Sequence, residues 1–264
     1  MNVAAPGRLQ IGRIPVDRVT FDGALARVTG LVEGQRGGIV FTPNVDHVVL
    51  ASEDARFRAA YAAADVSVAD GMPIVWASHA LGQPVPEKIS GSDLVPRLMA
   101  LAETKGWRVY LLGGSTRVAA AALLRLGLLH PKLELVGTAS PRIDLAEPEG
   151  ARAAVLDGIR ASRPDLVLVC LGAPKQELWI HEVAAALRPA VLLGVGAAVD
   201  FLAGTTRRAP RWMSQVGLEW AYRLAREPRR LWRRYLVHDP KFLAILLADL
   251  WRRRAIALGG KAEP

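Results

Sequence analysis

An α/β fold is predicted: a largely parallel sheet with helices on both faces, followed by a basic helical C-terminal appendage. Three observations carry that expectation. The chain has 264 residues, 51% of them hydrophobic, enough for one α/β domain with a sizeable core plus an appendage. From residue 38 to about residue 200, short β-rich runs alternate with longer stretches of helical spacing. After Gly204 the strand-like runs stop, and arginine and tryptophan accumulate.

Taken in order, the expected strands are Gly38–Thr42, Val66–Ala69, Trp107–Leu112, Leu133–Thr138, Leu166–Leu171 and Ala190–Val195. Helical spacing fills Leu94–Thr104, Thr116–Leu129, Glu147–Ala161 and Gln176–Leu187 between them. Strand, helix, strand repeated this way implies a Rossmann-like, largely parallel sheet covered on both faces. Residues 1–204 are therefore taken as the α/β domain and 205–264 as the appendage. The appendage is expected to be two or three helices broken near Pro228 and Pro240.

Charge separates the two parts. Residues 205–254 hold thirteen Lys/Arg and four Asp/Glu, whereas the rest holds twenty-one of each. Such asymmetry points to an anionic partner for that segment: a lipid surface, a nucleic acid or a phosphate-bearing substrate. The run Phe242–Trp251 is nearly all apolar and is followed by Arg252-Arg253-Arg254. It is too short to span a bilayer and suits a helix lying in a membrane surface or packing on the core. Because a nucleic-acid arm has little use for that run, an anionic membrane surface is favoured and nucleic acid is not expected. A nucleic-acid- or phosphate-binding module with a basic arm is the alternative of another class. A tail that packs on the core or between copies of a homo-oligomer is the structural one. The N-terminus lacks the pattern of a signal peptide, and Cys170, the single cysteine, sits inside an apolar run. A cytoplasmic protein, peripheral to the inner face of the plasma membrane, is expected.

In parallel sheets ligands bind outside the carboxyl ends of the strands. Those positions carry Thr42-Pro43-Asn44, Asp70-Gly71, Gly113-Gly114-Ser115, Gly172-Ala173-Pro174-Lys175-Gln176-Glu177 and Gly196. A Gly-Gly-Ser turn opening a helix is either an ordinary left-handed connection with a cap or a cradle of backbone amides for a diphosphate. Asp70 is either a turn residue or a carboxylate that takes the proton of an attacking sugar hydroxyl. Lys175, Gln176 and Glu177 offer a cation, an amide and a carboxylate at the start of one helix, or else a solvated first turn. The dinucleotide and P-loop fingerprints are absent. The five histidines are widely spaced and no Asp-x-Asp occurs, so neither a metal site nor a cofactor is expected. A departing diphosphate would then be neutralised by arginines and helix N-termini.

Read together, several blocks are recognisable in order: Thr42-Pro43-Asn44, Gly91-Ser92-Asp93-Leu94, Gly172-Ala173-Pro174-Lys175-Gln176-Glu177, Arg208-Ala209-Pro210, and Gly217-Leu218-Glu219-Trp220 running on to Tyr235. Over roughly residues 12–237 the chain resembles the WecG/TagA/CpsF family of bacterial glycosyltransferases. The resemblance implies an inverting enzyme, which the lack of Asp-x-Asp and of clustered histidines makes metal-independent. It would move a sugar, of the N-acetylmannosamine type in some members and another hexose in others, from a UDP-sugar donor to a polyprenyl-diphosphate-linked sugar acceptor in cell-envelope polysaccharide synthesis. It implies Asp70 as base, Thr42 and Asn44 beside it, and Gln176 in the pocket. It also implies Arg223, Arg230 and Arg233 on an appendage that closes over the site and meets the membrane. Lys88 stands where the family more often has arginine, a point charge in place of a bidentate donor, and Val199 where it more often has an aromatic residue. The spacing of 223, 230 and 233 places the three arginines on one helical face if the helix runs through Pro228.

Overall fold

The computed structural model describes residues 7–141, 143, 149–206 and 208–259. The described residues begin with an antiparallel hairpin, β1 (Arg8–Ile11) and β2 (Ile14–Asp17), turning at Gly12 with a φ of 59°. Then come α1 (Phe21–Glu33), β3 (Gly38–Phe41), α2 (Val45–Glu53), α3 (Ala55–Ala62), β4 (Val66–Ser67) and α4 (Met72–Ala80). The chain continues with α5 (Gly91–Lys105), β5 (Arg108–Gly113), α6 (Thr116–Leu129), β6 (Glu134–Ala139) and α7 (Glu149–Ser162). After these follow β7 (Leu166–Cys170), α8 (Lys175–Val183), β8 (Val191–Gly194) and α9 (Ala198–Leu202).

Strands β3 to β8 form one sheet in the order β4-β3-β8-β7-β5-β6, with every pairing parallel. The six expected strands are all present, with ends shifted by a residue or two. The hairpin and helices α1 to α4 lie where the spacing predicts no particular element. The expected helix Gln176–Leu187 is split, its last turn Ala184–Leu187 being a 3₁₀ turn. Expected helical residues 147 and 148 lie outside the described residues.

Buried strands alternate their side chains between two cores. Ile39, Phe41, Val167, Val169 and Leu192 meet the hairpin, α2, α3, α4 and α8 on one face. Val40, Val109, Leu111, Leu166, Leu168 and Leu193 meet α1, α5 and α6 on the other. The hairpin is fixed through Asp17, 1% exposed, which accepts from Arg8 and from the Ser67 amide and pairs with Arg27 at 2.9 Å.

Beyond Gly204 the described residues form only helices: α10 (Arg211–Gln215), α11 (Glu219–Arg226), α12 (Pro228–Arg233), a π-helical turn (Arg234–His238) and α13 (Lys241–Gly259). The breaks fall near Pro228 and Pro240, as the sequence predicts. Helix α11 ends at Arg226, and Glu227 leaves helical geometry with φ −134° and ψ 56°. Pro228 then opens a separate helix, because a proline disfavours helical backbone in the residue before it. The expected common face for Arg223, Arg230 and Arg233 therefore does not exist. Helix α13 packs on α2 through Phe242, Ile245 and Leu246 and leaves Leu243, Leu247 and Trp251 exposed. No helix among the described residues is long and apolar enough to cross a membrane.

Candidate active site

A cleft of about 1200 Å³ runs along the carboxyl ends of β3, β4, β7 and β8, its other wall built by α11, α12 and the π turn. Thr42, Asn44, Asp70, Lys88, Gly114 and Gln176 line the sheet side, while Glu219, Arg223, Arg230 and Arg234 line the helical side. The strand order accounts for much of this. Strands β3 and β8 are paired neighbours inside the sheet, so the residues that follow them, Thr42 and Gly196, meet at the mouth.

Asp70 follows β4, its amide held by Pro43 O at 2.8 Å. Among the described residues its carboxyl accepts no hydrogen bond. Burial raises its pKa to about 7, Glu219 adds to the rise, and Arg223 and Lys88 oppose it. Gly71 turns the chain with φ 102° directly into α4. Lys88 is held from the helical side: its Nζ donates to Ser214 Oγ at 2.7 Å and lies 3.8 Å from Glu219. Arg223 pairs with the same Glu219 at 3.5 Å and stacks over Phe201.

Asn44 is the N-cap of α2. Its Oδ1 accepts from the His47 amide at 3.4 Å and from Arg234 Nη2 at 3.2 Å. Gln176, 3% exposed, accepts the Gly196 amide on Oε1 at 3.0 Å and donates Nε2 to Glu177 at 2.7 Å. Glu177 is buried behind it, outside the cleft lining, and burial lifts its pKa to about 7. Its neighbour His47 is pushed down to about 3 by burial and by Arg234, and bonds Tyr61 at 2.6 Å.

The remaining expected residues lie at the edge of the cleft or outside it. Gly113 and Gly114 both have left-handed φ, Ser115 caps α6, and the Gly114 amide is held by Cys170 O at 3.1 Å. That one amide is thus occupied within the fold, and only the amides that open α6 remain for an anion. Gly113 is a packing requirement, since a Cβ there would stand 2.6 Å from Cys170 O. Lys175 is exposed and reaches toward Ile143 O at 3.5 Å, away from the cleft. Arg230 is at the rim, paired with Glu227. Arg233 is exposed, lies over the Trp232 ring and does not line the cleft.

Sequence reasoning missed Asp46, Glu219, Arg234 and His238. Asp46 pairs with Arg234 at 3.4 Å and His238 at 3.3 Å, and with His238 and Asp239 it forms a group whose ligand atoms lie within 4.8 Å of one another. Spacing gave no hint of that group, because the residues are brought together only when the C-terminal segment folds back on α2. The Arg234 guanidinium already neutralises Asp46, which makes the group a poor host for a cation.

The geometry is that of an acid–base cleft lined with cations. Comparison with known proteins agrees with it: residues 9–256 match the model of the glycosyl transferase WecG/TagA/CpsF family. The chain is 33% identical over 220 residues to an N-acetylglucosaminyldiphosphoundecaprenol N-acetyl-beta-D-mannosaminyltransferase of Bacillus spizizenii, covering 83% of this chain and 82% of that protein. It is 28% identical over 218 residues to the protein of the same name from Bacillus subtilis strain 168, with the same coverage. Fold, cleft and comparison decide for a glycosyltransferase over the phosphate-binding module considered from the sequence: the chain belongs to the WecG/TagA/CpsF family of glycosyl transferases.

Proposed function

We propose that this glycosyltransferase moves an N-acetylhexosamine of the mannosamine type from a UDP-sugar to a polyprenyl-diphosphate-linked N-acetylglucosamine, with inversion. The observation that carries the reading is Asp70: a carboxyl at the cleft, unpartnered among the described residues, with a pKa lifted to about 7. A base poised near working pH is best matched to taking the proton of a sugar hydroxyl. The hydroxyl oxygen attacks the anomeric carbon from the face opposite the diphosphate. The bond from that carbon to the phosphate oxygen breaks, UDP leaves with its electron pair, and Asp70 holds the proton. The relatives' names supply the two sugars.

Thr42, Asn44 and Gln176 contact the donor sugar in this reading. Lys88, Arg223 and Arg230 face the diphosphate, whose charge grows as the bond breaks. The segment from residue 205 onward closes the cleft and carries the exposed stripe of α13, with Arg252 and Arg254 beside it, to an anionic membrane surface. Arg233, out on Trp232, faces the phosphates of that surface.

The test is a panel of UDP-sugars offered with a lipid-diphosphate-linked N-acetylglucosamine. Transfer from UDP-N-acetylmannosamine, lost in Asp70→Asn, is the expected result. Absence of transfer and of hydrolysis with every donor by the wild-type protein overturns the reading.

A further inference from the structure

The structure assigns Arg234 as a positioning residue for the cleft: it holds the Asn44 carboxamide in one orientation and makes that orientation depend on the C-terminal segment. Four observations support the assignment. Asn44 Oδ1 accepts two hydrogen bonds, from the His47 amide at 3.4 Å and from Arg234 Nη2 at 3.2 Å. With both donors on the oxygen, the amide cannot flip without losing them, so its Nδ2 hydrogens remain for an acceptor oxygen in the cleft. The first of those bonds is long, so the arginine is the stronger constraint.

Arg234 is itself held. Its Nε lies 3.4 Å from Asp46 Oδ2, and Asp46 also pairs with His238 at 3.3 Å. The backbone between them is a π turn, closed by the Asp239 amide on Arg234 O at 2.7 Å. His238 and Lys241 then tie to Glu53 at the other end of α2, at 3.3 Å and 2.7 Å. One helix of the sheet domain is thus gripped at both ends, and the grip at its N-terminus passes through Asn44. Single π turns inside helices recur at functional sites, which is consistent with a backbone shaped to aim one side chain.

Arg234 touches no reacting atom in this account. It acts through Asn44, and the kinetic part of the inference rests on the proposed role of Asn44 at the donor. The chain has only two asparagines, Asn2 and Asn44, so 15N-asparagine labelling gives two side-chain amide pairs, assigned with Asn44→Ala. Arg234→Gln and Arg234→Lys should each move the Asn44 pair, with the thermal midpoint kept within a few degrees. A pair that stays in place in both variants overturns the assignment whatever the enzyme's substrate. In the transfer assay, Arg234→Gln should lower kcat/KM for the donor about tenfold in the wild-type background and less than twofold in Asn44→Ala. Equal losses in the two backgrounds mean that Arg234 does not act through Asn44. If wild-type protein transfers nothing from any UDP-sugar, the proposed function falls, and the amide resonances still decide the positioning role.

Discussion

The amide of Gly12 donates to Asp249 Oδ2 at 2.6 Å, joining the first turn of the chain to the middle of α13. Gly12 has a left-handed φ of 59°, and a Cβ there would meet Ile245 Cγ2 at 2.9 Å and Val48 Cγ1 at 3.0 Å. Gly12→Ala should therefore destabilise the protein through both strain and crowding, by about 1–3 kcal/mol. Urea unfolding measures it, and an unchanged midpoint would show that α13 does not need this close approach.

Asp70→Asn should reduce transfer about 10²–10⁴-fold, the range for removing a general base. It should also stabilise the fold at pH 8. A carboxyl whose pKa is raised on folding favours the native state below its unfolded pKa of about 4 and loses that contribution as pH rises toward 7. Asparagine has no such dependence, so the variant's lead in melting temperature should widen from pH 5 to pH 8. Near-normal turnover would remove Asp70 from the mechanism.

The same shift sets a pH profile. With the base active only when deprotonated, kcat/KM should fall about tenfold per pH unit below a limb near pH 7. Glu219→Gln removes the charge that helps raise Asp70, so the limb should move to lower pH. A limb that remains near 7 in that variant would separate Glu219 from the titration of Asp70.

Strands, and the polar residues that end them, were legible because each strand is an apolar run between turn residues. Thr42, Asn44 and Asp70 stand at positions that this order marks, and all three line the cleft. The hairpin escaped notice because β1 and β2 are four residues each, and β2 is buried on every side with no alternation to read. Lys175 and Gln176 are adjacent, yet one is exposed and the other 3% exposed. Which of them faces the cleft depends on where α8 starts, and sequence spacing left that uncertain by a residue. Arg233 was expected in the site and Arg234 found there for the same reason, compounded by the break at Glu227.

Transfer should survive EDTA. Lys88 and Arg223 line the cleft and are proposed to meet the phosphate charge, and the Asp46 of the Asp46–His238–Asp239 group is paired with Arg234. Activity lost on chelation and restored by Mg²⁺ would show that a divalent ion does this work instead.

Leu243→Glu, Leu247→Glu and Trp251→Glu should together weaken binding to anionic liposomes at least tenfold, while near-unchanged melting shows the fold intact. These side chains are 62%, 66% and 76% exposed, so little packing is lost. Liposome sedimentation at low and high salt checks it, and undiminished binding would move the contact to another surface.

Because α13 is bolted to α2 by its inner face, and α2 begins at the Asn44 of the cleft, the exposed stripe has a fixed offset from Asp70. If that stripe meets lipid as proposed, this rod of 19 residues, roughly 28 Å long, would act as a depth gauge between bilayer and chemistry. Only acceptors whose sugar stands at that height would then reach Asp70. Tether length would filter substrates before any pocket reads their stereochemistry.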